Sequence, residues 1–232
     1  MKPGVVQICG AYLQAHGLEG QSAKPRPRLP TLALDRLAGT PLAEIEQILL
    51  SRLQRSEASW TLFDDNLVTY VLQEHHLPEI LARAMPEDRA PPVQEFWREL
   101  LAAEPPQWEL VQKTNDTLYR LAKRGGCILV GRAAPWITRG LPHVVRASLT
   151  GSLTARARRL ASTEGLEFAQ AEKEVLRRDE ARHHYLTAHF GRGAEDAPVF
   201  DLIIDTDRLS PACMAEILAK ALEDQIRDGG KP

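Results

Sequence analysis

Cys127-Ile128-Leu129-Val130-Gly131-Arg132-Ala133-Ala134 decides how this chain is read. Four apolar residues without polar alternation, halted by a glycine, describe a strand covered on both faces, as in a parallel sheet packed between helices. Working outward, four more short apolar runs have the length of strands: Leu32-Ala33-Leu34, Trp60-Thr61-Leu62-Phe63, Val144-Val145-Arg146-Ala147-Ser148-Leu149 and Asp201-Leu202-Ile203-Ile204. The last is also nearly continuous in apolar character, so burial on both faces is expected there too. Between the runs lie helical periods at 42–53, 67–76, 108–123, 153–161, 168–188 and 211–226. Strand alternating with helix implies right-handed crossovers and an α/β fold, a doubly wound parallel five-stranded sheet. Ligands of such sheets collect just past the carboxyl ends of the strands.

Composition narrows the field. At 232 residues the chain can bury one ample core, and 44% hydrophobic with 26% charged residues is ordinary for a soluble globular domain. The net charge of −2 supplies no global basic field for nucleic acid or a membrane surface, so any anion site must be local. No apolar run is long enough to span a bilayer, and the N-terminus lacks the apolar core of a signal peptide. Three scattered cysteines, Cys9, Cys127 and Cys213, show neither metal spacing nor a disulfide framework, which fits a reducing cytoplasm. Residues 1–30 read as an N-terminal helical extension ending in a proline-broken basic linker, which would dock on its own domain or pair two chains as a homodimer. The main domain is expected over 31–228. It contains an irregular helical insertion at 77–107, marked by Pro78, Pro86, Pro91, Pro92, Pro105 and Pro106.

A second stretch, Arg177-Arg178-Asp179-Glu180-Ala181-Arg182-His183-His184-Tyr185, concentrates guanidinium groups ahead of a Phe190-Gly191 break. Arg178 and Arg182 are four apart and share a helix face. Two parallel guanidinium forks suit a polyphosphate, because each binds phosphate oxygens bidentately and stays charged at any working pH. The competing reading is a solvated helix whose arginines pair with Asp179 and Glu180. Past the strand at 127–130, Gly131 permits a tight turn that would aim Arg132 into the strand-end crevice; an ordinary surface arginine is the alternative. Past Phe63, Asp64 either caps a helix or serves as a base or ribose acceptor. Past Leu34, only Arg36, Gly39 and Thr40 resemble a phosphate loop. Pro41 has no N–H and suits a first helical position, with Thr40 as N-cap. That loop alone therefore reads as a plain strand-to-helix turn. The histidines have no acidic or cysteine partners at metal spacing, so no metal site is expected.

With these residues assembled, the chain resembles the bacterial cytidylate kinase-like proteins, relatives of the P-loop nucleoside monophosphate kinases, from about residue 31 onward. The segment 127–137 is similar to the family's strand-Gly-Arg-Gly-Ala element. Arg177 to Gly191 resembles its lid (177–200), Phe200-Asp201-Leu202-Ile203-Ile204-Asp205-Thr206-Asp207-Arg208-Leu209 its last strand, and Trp60 to Val68 the start of its monophosphate-binding region. The resemblance implies a P-loop kinase-like fold and phosphoryl transfer from ATP, with Mg2+, to a nucleoside monophosphate, CMP foremost. Carried onto this sequence, Arg178, Asp179 and Arg182 form the lid's catalytic group. Gly131 and Arg132 hold acceptor phosphate, Asp64 lies near the acceptor, and Arg36, Gly39 and Thr40 are the remnant of the donor loop. Where the family carries a glycine-rich run and a basic residue, this chain has Pro41-Leu42-Ala43, a degenerate P-loop. Losing one preorganised donor costs on the order of 3 kcal/mol of transition-state stabilisation. The alternative is thus a catalytically impaired nucleotide-binding pseudokinase acting as a sensor or interaction module. A nucleic-acid role for the same helix lacks both a basic field and an aromatic stacking platform.

Overall fold

A computed structural model describes residues 29–55, 60–64, 107–131, 133–191 and 199–227. Five parallel strands form one sheet: β1 (Thr31–Arg36), β2 (Thr61–Phe63), β3 (Cys127–Val130), β4 (Val144–Thr150) and β5 (Leu202–Asp205), in the order β2-β3-β1-β4-β5. β1 lies at the centre, with Thr31 level with Cys127 of β3 and with Val144 of β4. Six helices complete the described elements: α1 (Leu42–Leu53), α2 (Gln107–Arg124), α3 (Ala134–Ile137), α4 (Leu153–Glu164), α5 (Phe168–Phe190) and α6 (Pro211–Arg227). All five expected strands are present. The short helix α3 was not anticipated; it follows a turn in which Gly131 and Ala133 both take positive φ, 69° and 57°. The expected helix at 67–76, the N-terminal extension and nearly all of the 77–107 insertion lie outside the described residues.

Alternation along the strands sorts the core. Leu32 and Leu34 of β1, Ile128 and Val130 of β3, and Val145, Ala147 and Leu149 of β4 pack against Ile45, Leu49 and Leu53 of α1 and Met214, Leu218 and Leu222 of α6. The opposite face meets α2, where the Thr31 hydroxyl donates to the Ala122 carbonyl at 3.0 Å and His143 Nε2 lies 2.9 Å from the same oxygen. Helices therefore cover both faces, and β3 is buried at all four positions. Each Val, Leu, Ile or Met side chain so enclosed contributes about 1.5–3 kcal/mol relative to exposure.

β5 departs from expectation. It is an edge strand, and Ile203 is 68% exposed while Ile204 is buried at 5%. A continuous apolar run does not distinguish a strand covered twice from one covered once; sheet position does. Arg146 ties the edge down, donating its backbone N–H and Nε to Asp201 Oδ2 and Nη2 to Asp201 Oδ1.

The pair supplies a test of register. Ile204→Ala is expected to cost about 2–5 kcal/mol and Ile203→Thr less than about 0.5 kcal/mol, read from urea unfolding. Equal costs would contradict this placement of β5.

Candidate functional site

A cavity of about 500 Å³ opens at the carboxyl ends of the strands. Its walls are the loop from Arg36 to Glu44, Glu46 of α1, Asp64 after β2, Val130 and Gly131 at the end of β3, Arg159, Leu160, Ser162 and Thr163 of α4, and Arg178 of α5. Six of the expected site residues thus meet in one place: Arg36, Gly39, Thr40, Asp64, Gly131 and Arg178. Asp179 and Arg182 are turned to other partners. Arg132 lies outside the described residues, although Gly131 and Ala133 flank it in left-handed conformation.

The loop after β1 is held by side chains from distant helices. Asp179 Oδ1 accepts the Ala38 N–H at 3.0 Å, and its Oδ2 accepts from Arg156 Nη1 at 2.7 Å. The same Arg156 Nη1 donates to the Ala38 carbonyl at 2.9 Å, and Nε to the Gly151 carbonyl at 2.9 Å. Gly39, at φ +78°, presses so closely on the first turn of α4 that a Cβ there would sit 2.4 Å from the Arg156 carbonyl oxygen. Only glycine fits both the backbone angle and the gap. Helix α1 begins at Leu42 with Pro41 in the cap position at ψ 53°, not with Thr40 capping. The Thr40 hydroxyl donates instead to the Leu37 carbonyl at 3.0 Å, closing the loop on itself.

Arg182 is buried, donating Nε to Asp35 Oδ1 at 2.9 Å and Nη2 to Asp35 Oδ2 at 2.6 Å, with its guanidinium carbon 5.5 Å from the centre of the Trp136 ring. Burial pushes the Asp35 carboxyl up, while Arg182 and then Ser148 pull it down. Arg178, by contrast, borders the cavity, and its guanidinium is taken by carboxylates. Nη1 and Nη2 donate to the two oxygens of Glu164 at 2.8 and 2.9 Å, and Nε to Glu174 Oε1 at 2.7 Å. The shared-face reading of Arg178 and Arg182 is corrected accordingly: the two forks address different carboxylates and do not jointly face the cavity. Residues 177–190 of the expected lid are the last turns of α5, a continuous helix packed on α4; it stops at Gly191, whose φ is +88°. Residues 192–198 lie outside the described residues.

Sequence reasoning passed over Asp35, Arg156 and Arg159. A carboxylate closing the otherwise apolar β1 run was the available signal for Asp35. For Arg156 and Arg159 it was their i, i+3 spacing behind the Ser152 cap, whose side chain accepts from the Ala155 N–H. Arg159 reaches from the cavity wall to Thr206 Oγ1 at 3.1 Å and to the Thr206 carbonyl. Asp207, which accepts the Ser152 N–H, has its carboxyl lowered chiefly by that residue's hydrogen bonds. Among the described residues no three histidine, cysteine, aspartate or glutamate side chains are grouped to hold a metal ion, and no helix is long and apolar enough to cross a membrane.

Comparison with known proteins adds a family. A model of the cytidylate kinase-like family matches residues 57–208, more than half of the chain. The match starts after the loop at 36–44, later than the resemblance from residue 31 implied. A cytidylate kinase of Sulfurisphaera tokodaii is 26% identical over 112 residues, covering 48% of this chain and 62% of that protein. One of Pyrobaculum aerophilum is 32% identical over 102 residues, covering 44% and 55%. The chain thus spans between half and two thirds of these archaeal relatives. An uncharacterized protein from Eubacterium ventriosum shares the fold at a TM-score of 0.62 and 15% identity, over 84% of this chain and 99% of that one.

Two measurements probe the contacts. Arg182→Ala leaves Asp35 buried and unpaired, so a loss of about 3–5 kcal/mol is expected in urea unfolding, with part recovered in Asp35→Leu/Arg182→Met. The Glu174 carboxyl is held down from 4.5 to about 2, first by hydrogen bonding from Arg177. A depressed carboxyl stabilises the fold above its ordinary value and loses that contribution as pH falls through the folded one. Glu174→Gln should therefore flatten the decline in stability between pH 4.5 and 2 and leave the slope above pH 5 unchanged.

Proposed function

Because the chain belongs to the cytidylate kinase-like family, we propose that it is a nucleotide kinase moving the terminal phosphoryl group of ATP to a nucleoside monophosphate, with CMP as the acceptor. The observation that carries this reading is the cavity itself. Arg36, Arg159 and Arg178 border it together with Thr40, Ser162 and Thr163, at the strand ends where a doubly wound sheet binds ligands. Such charge acts on a phosphoryl group in flight by stabilising its equatorial oxygens, while walls that exclude water favour the acceptor over hydrolysis. An acceptor phosphate oxygen attacks the terminal phosphorus, the bond to the bridging oxygen breaks, and ADP leaves. Arg178 and Arg159 would hold phosphate, and Asp64 would lie beside the acceptor.

The guanidinium groups and hydroxyls of the cavity fit a polyphosphate, and Glu44, Glu46 and Asp64 stand beside them as carboxylates. Magnesium carried in on the nucleotide would neutralise charge between its phosphates, and Asp64 is a cavity carboxylate of the kind such an ion takes. The loop fits less well as a backbone cradle. Pro41 has no N–H, the Ala38 amide is spent on Asp179, and the Leu42 amide donates to the Thr40 carbonyl at 2.8 Å. Those amides favour a second reading, a pseudokinase that binds nucleotide and works as a sensor or interaction module.

Purified protein with CMP, magnesium and labelled ATP separates the two. Labelled CDP at about 1 per second or faster is expected of the kinase. Nucleotide binding by calorimetry without turnover would establish the sensor, and neither binding nor turnover would overturn both. Pro41→Gly/Leu42→Gly/Ala43→Lys should raise the rate by roughly a hundredfold, as one or two restored donors would.

A further inference from the structure

Of the three arginines that border the cavity, Arg178 is already occupied by carboxylates. Nε and both Nη atoms of Arg178 donate to carboxylates, and Glu164 takes the Nη pair bidentately, the arrangement a phosphate would take. We propose that Glu164 is a resident competitor, which a polyphosphate entering the cavity must displace from Arg178, so that this glutamate sets how much anionic charge a guest needs in order to bind. The inference rests on reading the cavity as a polyphosphate site.

Three observations carry it. Glu164 is the last residue of α4, before the left-handed cap Gly165, where the negative end of the helix dipole disfavours a carboxylate. Helix stability therefore does not account for its position. Exposure is asymmetric: the Arg178 side chain is 14% exposed and that of Glu164 34%. The glutamate can swing into water at little cost while the arginine stays at the cavity wall. Finally, Glu174 remains neutralised after the exchange, because Arg177 donates Nε and Nη2 to it at 2.8 and 2.7 Å. A single ion pair is exchanged, carboxylate out and phosphate in.

Calorimetric titration of the full chain with inorganic tripolyphosphate, at low salt and without nucleoside or magnesium, tests this. Glu164→Gln and Glu164→Ala are each expected to bind roughly two- to fivefold more tightly than the parent, the upper range of a surface ion pair relieved. In an Arg178→Ala background the same substitutions should bring no gain. Unchanged or weaker binding in both Glu164 variants would overturn the proposal, making the glutamate a brace that presents Arg178. Failure of the parent and every variant to bind tripolyphosphate would overturn the polyphosphate reading itself. Turnover has no part in this measurement, so loss of kinase activity leaves its outcome intact.

Discussion

Asp35 and Arg182 form the contact on which the arrangement of this molecule turns. They lie 147 positions apart, at the end of the central strand and two thirds of the way along α5, and they meet through two hydrogen bonds in a site closed to water. Removing two charges from water is costly, and a buried pair of this kind adds little net stability. Its effect is on specificity of position. Once Asp35 is fixed by β1, α5 can be displaced only by leaving a buried charge without its partner. The Trp136 ring beneath the guanidinium and the Ser148 hydroxyl, 3.3 Å from Asp35 Oδ2, narrow the choice further.

From that anchor the other contacts follow along one helix. Three residues before Arg182, Asp179 takes the Ala38 amide and the Arg156 guanidinium; four before it, Arg178 comes to the cavity wall. The loop after β1 is thereby shaped by side chains from α4 and α5, where a glycine-rich loop shapes itself by backbone freedom. This has a chemical consequence. An amide that donates to Asp179 does not donate to a phosphate, so the same contact that gives the loop its form reduces its number of anion donors. Any anion entering the cavity would therefore be met by the hydroxyls and guanidinium groups around the loop, and the guanidinium groups stay charged at any working pH.

Much of the architecture was legible from periodicity. The five strand runs, the helices at 42–53, 108–123, 153–161, 168–188 and 211–226, and the glycine turn after β3 follow from spacing, because the pattern of burial along an element is imprinted on its residues. The gathering of Arg36, Gly39, Thr40, Asp64 and Gly131 also followed, since parallel strands deliver their carboxyl-terminal loops to one edge. The partners of Arg178, Asp179 and Arg182 did not. A string of arginines and acids at helical spacing is compatible with local pairs, with partners on other elements and with a bound anion, and all three cost similar amounts in isolation.

The sequence by itself determined the five strands, the long helices and which loops lie at the carboxyl-terminal edge of the sheet, because those depend on contacts near in the chain and on a two-way division between apolar and polar. Tertiary structure alone decided that β5 is an edge strand, that Arg182 is spent on Asp35, and that Arg178 faces the cavity with Glu164 upon it. The first of those outcomes depends on which strands pair across the sheet. The other two depend on which charge comes nearest in space, and a charge carries no mark in the sequence of the partner it will meet.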